Sequence, residues 1–117
     1  MNDASAVRIL LVEDDVLVRI VTAELLVELG YAVAEAGDGA EARRLFADQP
    51  DLMITDVELP DADGLELAAE FRALRPEAPI VVASGKTVEM GTDYVWLQKP
   101  YGGAALRDAI ARALGQG

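Results

Sequence analysis

The sequence contains no cysteine and no histidine. The first absence removes disulfides and thiol nucleophiles, the second removes imidazole catalysis, and together they remove the usual ligands of zinc. Chemistry is left to oxygen, from carboxylates and hydroxyls. Positive charge is scarce as well: 10 Lys and Arg face 21 Asp and Glu, a formal net charge of −11. Such a chain repels nucleic acid and anionic membrane surfaces, so direct binding to either is not expected, whereas protein partners and cations suit it. Apolar runs are far shorter than the roughly 20 residues of a membrane-spanning helix, and no basic segment leads into an apolar one as in a signal peptide. A cytoplasmic location follows as the expectation. With 117 residues, 52% of them hydrophobic, there is room for one domain and one core but not for two.

The pattern within that domain is α/β. Residues 1–6 are short and polar and are expected to fray. A first strand runs from Val7 to Val12 and meets Glu13, Asp14 and Asp15. Over residues 16–29 the positions Val18, Val21, Thr22, Leu25 and Leu29 recur at helical spacing, and Gly30 stops the run as a C′ glycine does. A short strand over 31–36 is followed by Asp38 and Glu41, spaced as a capping box for a helix that Pro50 closes. Leu52, Met53 and Ile54 then climb to Asp56, and Pro60 ends the run, since proline cannot continue a central strand. Asp63 and Glu66 can cap a third helix that stops before Pro76, and residues 80–83 form a fourth strand.

Strict alternation of strands and helices implies right-handed βαβ units and a parallel sheet covered on both faces. The alternation breaks after Ser84. Residues 85–93 carry two glycines and no apolar periodicity, too few for a crossover helix with its turns, so that helix is expected to be truncated or absent. A fifth strand over 94–97 leads to Lys99 and Pro100, and a last helix over 103–114 buries Leu106, Ala109, Ile110 and Ala113.

Ligands bind beyond the C-terminal ends of strands in open parallel sheets. Those ends carry Asp14 and Asp15, Asp56, Ser84, and Lys99. The acids Asp14 and Asp15 fit two roles, as caps on the first helix or as partners of Asp56. Two carboxylates about 4 Å apart repel by about 4 kcal/mol at an effective dielectric near 20, so converging acids require a counter-charge. A hard dication such as Mg²⁺ supplies it, with an octahedral oxygen shell and retained waters.

The motifs LLVEDD, ITDVELPDADG, VVASG and KPY, in this order at strand ends, resemble the receiver domain of two-component response regulators over nearly the whole chain. The resemblance implies a flavodoxin-like, CheY-like, doubly wound five-stranded parallel sheet with strand order 2-1-3-4-5. It implies phosphorylation of Asp56 by a histidine kinase or histidine phosphotransfer protein, with Mg²⁺ held by Asp15, Asp56 and the backbone carbonyl of Glu58, and by Asp14 through water. Lys99 would pair with Asp56 or its phosphoryl group, and Ser84 would donate its hydroxyl to a phosphoryl oxygen. Ser84 and Trp96 would form the switch. Trp96, three residues before Lys99, is larger than the Tyr or Phe usual there. Glu58 and Lys86 occupy the variable positions that flank the acceptor and could pair across it. The family carries a cis peptide before Pro100; the sequence leaves the isomer open.

The expected role is a stand-alone receiver that alters contacts with an unknown downstream protein, relays phosphate or acts as a phosphate sink. It would not be an enzyme beyond its own phosphorylation and dephosphorylation. Against this stand a Mg²⁺-dependent aspartyl phosphohydrolase, which should carry DxD on the first strand; an FMN binder, disfavoured by acids where a phosphate loop belongs; and a receiver-shaped scaffold that is never phosphorylated. On the first helix Val16, Ile20, Ala23 and Val27 form a second apolar stripe, expected to face solvent and to dock the phosphodonor, with homodimerisation as the alternative.

Overall fold

The computed structural model describes residues 6–86 and 94–115. Five strands, β1 (Arg8–Val12), β2 (Ala32–Ala36), β3 (Leu52–Asp56), β4 (Ile80–Ser84) and β5 (Val95–Gln98), form one sheet in the order β2-β1-β3-β4-β5. Every pairing is parallel. The helices are α1 (Val16–Glu28), α2 (Gly39–Leu45), continued by a 3-10 turn over Phe46–Asp48, α3 (Gly64–Leu74) and α4 (Gly103–Ala113). This is the flavodoxin-like, CheY-like arrangement and strand order that the family resemblance implies. The expected loss of a helix over 85–93 falls mostly on residues 87–93, and the expected fraying of the N-terminus on residues 1–5; both lie outside the described residues.

The pleat of the central strands sorts the core into two layers, because neighbouring side chains point to opposite faces. Ile9, Leu11, Leu52 and Ile54 face α1 and α4, where Ala23, Leu26, Leu106 and Ile110 pack on them. Leu10, Val12, Met53 and Val82 face α2 and α3, meeting Ala42, Leu67 and Phe71. Phe46 and Phe71 close this second layer with ring centroids 5.3 Å apart. All five residues of β3 are buried, so a slip of one residue would invert its whole hydrophobic set. That fixes the height at which Asp56 emerges.

Local signals end the helices where expected. Gly30 has φ +100°, donates to the Val27 carbonyl, and is followed by Tyr31 donating to the Leu26 carbonyl, the two bonds of a Schellman motif. Asp38 and Asp63 accept backbone N–H bonds as the caps of α2 and α3.

The buried face of α1 differs from the expected one. Thr22, Ala23 and Leu26 are fully buried, Val18 and Leu25 are half-buried, and Val21 and Leu29 are exposed. Ala23, expected on the solvent stripe, packs in the core, while Val16, Ile20 and Val27 of that stripe are exposed. The helix is apolar around most of its circumference, so periodicity does not choose a face. Packing does: small Thr22 and Ala23 let the helix backbone approach the sheet, and Leu26 fills the space beside them.

Candidate functional site

The register of β1 on β3 places Val12 opposite Thr55, so the next residues, Glu13 and Asp56, stand level at the tips of adjacent strands. Glu13 still belongs to the ladder, its N–H donating to the Ala36 carbonyl at 2.9 Å, and it is 2% exposed. Asp56 is 8% exposed. Lys99, at the tip of β5, donates to Glu13 Oε1 at 2.9 Å and to Asp56 Oδ2 at 3.0 Å. Glu13, Asp14 and Asp56 each offer a carboxylate oxygen within 4.8 Å of the others.

Asp15 is not part of this group. Its Oδ1 accepts from the Val18 N–H at 3.1 Å as the N-cap of α1, while its own N–H donates to Glu13 Oε2 at 3.1 Å. The acid pair facing Asp56 is therefore Glu13 and Asp14, one residue upstream of the expected Asp14 and Asp15. The cause is the strand's phase: the first residue after the last apolar position remains at the sheet tip, the second follows the turn, and the third begins the helix. What identifies Glu13 is the pairing of the two strands, which sets the endings Val12-Glu13 and Thr55-Asp56 level.

Electrostatics follow from the geometry. Burial raises the Glu13 carboxyl above its ordinary value and the nearby Asp56 charge adds to this, while Lys99 and the Asp15 N–H oppose it. Burial acts against the Lys99 ammonium, yet its bonds to Glu13 and Asp56 outweigh burial and hold it well above the usual lysine range. Lys99 thus remains a cation. Among these four groups one ammonium meets three carboxylates, and the excess negative charge suits a divalent ion. The all-oxygen donor set fits Mg²⁺ rather than a softer metal.

The remaining expected residues surround this centre. Ser84 is buried at the tip of β4, its Oγ accepting from the Lys86 N–H at 3.0 Å and its carbonyl accepting from the Lys99 N–H at 2.8 Å. The Lys99–Pro100 peptide is cis. The Glu58 N–H points to Asp56 Oδ1 at 3.4 Å, and the exposed Glu58 side chain meets Lys86 Nζ at 3.6 Å. Gly64 closes the site from below, since a Cβ there would overlap the carbonyl oxygen of Asp56. Trp96, opposite Val82 on β5, is half-buried against the layer that includes Phe71.

Of the exposed aliphatic residues of α1, Leu17 and Val21 line one groove, and Ile20 and Val27 line another. One, of about 650 Å³, runs between Leu17, Val21 and Leu25 on one side and Pro100 and Tyr101 on the other, with Lys99 in its wall. The Thr22 and Tyr101 hydroxyls share a 2.9 Å hydrogen bond across it, and burial raises the Tyr101 hydroxyl above its ordinary pKa. The other, of about 630 Å³, contains Ile20, Ala23 and Val27, faces β2, and is flanked by Glu24, Glu28 and Glu35. Of the docking residues expected at Val16, Ile20, Ala23 and Val27, the last three line this β2-facing groove and not the one with Lys99 in its wall.

A family model described as the response regulator receiver domain matches residues 9–111. The transcriptional regulatory protein PdtaR of Mycobacterium tuberculosis is 41% identical over 116 residues, covering 92% of this chain and 56% of that protein. The chain spans 24% to 56% of the length of the first curated relatives it matches. The receiver domain of the hybrid histidine kinase CckA is 37% identical with a TM-score of 0.81, covering 92% of this chain and 98% of that one. The response regulator TrrA of Thermotoga maritima, solved with Mg²⁺ and BeF, is 28% identical with a TM-score of 0.81, covering 91% of this chain and 97% of that one. Among the described residues no helix is long and apolar enough to cross a membrane.

Proposed function

Because this chain belongs to the response regulator receiver domain family, we propose that Asp56 accepts a phosphoryl group from a phosphorylated histidine of a kinase or phosphotransfer protein. The observation that carries this reading is Lys99, whose ammonium joins the buried carboxylates of Glu13 and Asp56 at the sheet tip while a third acid, Asp14, completes the cluster.

The transfer step balances without an oxidant or reductant. A carboxylate oxygen of Asp56 attacks phosphorus in line; the P–O bond forms as the donor P–N bond breaks, and the electron pair returns to the imidazole, which leaves neutral when its other nitrogen carries a proton. Glu13, Asp14 and Asp56, with the Glu58 carbonyl, would hold Mg²⁺, a reading supported by the metal in the TrrA structure; when bound, the ion supplies positive charge beside the phosphoryl oxygens. Lys99 moves from a pair with Asp56 to a contact with the new phosphoryl group, so its charge is never left without a partner. The Ser84 hydroxyl accepts from the Lys86 N–H, which leaves its own proton available to a phosphoryl oxygen. The Glu58–Lys86 ion pair, two residues from Asp56 and from Ser84 respectively, would screen the path of attacking water. Trp96, half-buried on the strand that leads to Lys99, is the residue that reports the change.

The phosphodonor docks in the groove of Leu17, Val21 and Leu25, which leads to Lys99, and the phosphorylated form alters contacts with a downstream protein. Turnover of small phosphate esters is not expected. The experiment is intact-mass measurement after incubation with Mg²⁺ and acetyl phosphate. One phosphoryl group should be added, with acetate leaving, and Asp56→Asn should abolish it. Unchanged labelling of Asp56→Asn would place the acceptor elsewhere, and no labelling of the wild type would favour an unphosphorylated scaffold.

A further inference from the structure

Beyond Asp56 the chain folds back as a tight hairpin. It is closed by the Leu59 N–H on the Ala62 carbonyl at 3.3 Å, a bridge between Glu58 and Asp63, and the Gly64 N–H on the Val57 carbonyl at 2.7 Å. At its tip the Asp61 side chain leaves the hairpin altogether. Asp61 Oδ1 accepts from the Gly39 N–H at 2.7 Å and Oδ2 from the Ala40 N–H at 3.1 Å, both at the start of α2. The Gly39 donor is the main cause of an Asp61 carboxyl held below its ordinary range, with Ala40 contributing.

This contact is more than a helix cap. The local capping of α2 is already provided by Asp38, which accepts from the Glu41 N–H at 2.8 Å, and by Glu41, which accepts from the Gly37 N–H at 3.0 Å. Water could satisfy the Gly39 and Ala40 donors at an exposed helix end. The partner surface is also shaped for the hairpin: a Cβ on buried Gly39 would stand 2.8 Å from the Ala62 Cβ and 3.2 Å from Asp61 Oδ1. A side chain at residue 39 would therefore wedge the hairpin away from α2. The contact fixes the distance between two elements that are 22 residues apart in sequence.

We propose that Asp61 is a positioning residue of the acceptor site: by strapping the hairpin to α2 it holds the Glu58 carbonyl beside the Glu13, Asp14 and Asp56 carboxylates. The inference rests on the metal reading above. Glu58 lies between the fixed base of the hairpin at Asp56 and its strapped tip at Asp61. With the strap released, only the hairpin's own bonds restrain the carbonyl, and binding a cation must then further order the hairpin as well as the ion.

Calorimetric titration with Mg²⁺ and hydrogen exchange of the metal-free chain test this. Asp61→Ala should raise the Mg²⁺ Kd roughly tenfold, the lower end of what loss of an outer-shell partner costs. Exchange at the Glu58 and Leu59 amides should accelerate without metal. Asp61→Asn keeps one acceptor oxygen and should fall between. Gly39→Ala keeps the carboxylate but wedges the contact apart, and should weaken Mg²⁺ in the same direction. A role confined to capping α2 would lower the melting temperature and leave the Kd and the hairpin exchange unchanged, which would overturn the proposal. If Asp61→Ala does not fold, Asp61→Asn and Gly39→Ala decide on the same readouts. Wild-type protein that binds no Mg²⁺ removes the metal reading and the strap with it; wild type and Asp61→Ala binding Mg²⁺ equally removes only the strap.

Discussion

Lys99 Nζ lies 3.0 Å from Asp56 Oδ2 across 43 residues of sequence, and this ion pair sits at the rim of the sheet, partly shielded from solvent. It holds the Asp56 carboxylate in place. Removing the ammonium leaves Glu13 and Asp56 as buried neighbouring charges without compensation, which costs about 1 to 3 kcal/mol. Lys99→Met should melt below wild type in a metal-free buffer, and added Mg²⁺ should recover part of the loss. Equal melting of the two proteins without metal would mean that the pair contributes nothing to the fold.

The two acids following Glu13 should separate cleanly. Asp15→Ala removes a helix cap and should cost about 1 kcal/mol in denaturant unfolding while Mg²⁺ binding persists. Asp14→Asn and Glu13→Gln should weaken Mg²⁺ binding. Abolition of Mg²⁺ binding by Asp15→Ala, with Asp14→Asn unaffected, would restore the pair expected from sequence.

Gly64 is fixed by sterics alone. Its missing side chain makes room for the Asp56 carbonyl, and backbone cannot retreat as a flexible side chain can. Gly64→Ala should destabilise the chain by about 3 kcal/mol or more and lower labelling by acetyl phosphate even in the folded fraction. Near-wild-type unfolding would show that α3 can shift away from Asp56.

The two grooves on α1 make opposite predictions for transfer. Leu17→Glu and Val21→Glu should slow phosphotransfer from a donor protein without reducing labelling by acetyl phosphate, because only the former needs the apolar wall next to Lys99. Ile20→Glu and Val27→Glu should transfer at the wild-type rate. The reverse outcome would put the donor on the groove facing β2.

The depressed Asp61 carboxyl gives a pH test with a definite sign. Its contribution is present above the unfolded value, near pH 4, and is lost as pH falls through the lower folded value. The stability gap between wild type and Asp61→Asn should therefore be full at neutral pH and shrink in acid. A gap that widens as pH falls would mean that the carboxylate is not the bonded form.

The sheet was legible because four of its five strands, all but β2, are short apolar runs with a polar residue at or just past the end, and the helix limits because Asp38, Asp63 and Gly30 are local devices whose effect needs no tertiary context. Asp56, Lys99 and Ser84 could be found for the same reason, as polar residues at strand tips. The identity of the acid pair was less accessible. Three consecutive acids offer no periodicity, and only the pairing of Val12 with Thr55 selects Glu13. The face of α1 was hidden for a related reason: with valine, leucine or isoleucine on nearly every side, the choice belongs to the sheet it lands on. The role of Asp61 was not legible, because nothing local connects it to Gly39.

The hydrogen bond between Thr22 and Tyr101 gives the groove beside Lys99 a mechanical property. Thr22 is on the buried face of α1, and Tyr101 is two residues past Lys99 in the chain. At 2.9 Å the bond tolerates well under an ångström of separation before it is lost. The helix wall and the loop wall are therefore tied, and a partner that pushes on α1 either breaks this tie or transmits its push to the backbone next to the lysine. Whatever fills the groove would have a lever on the charge that holds Asp56.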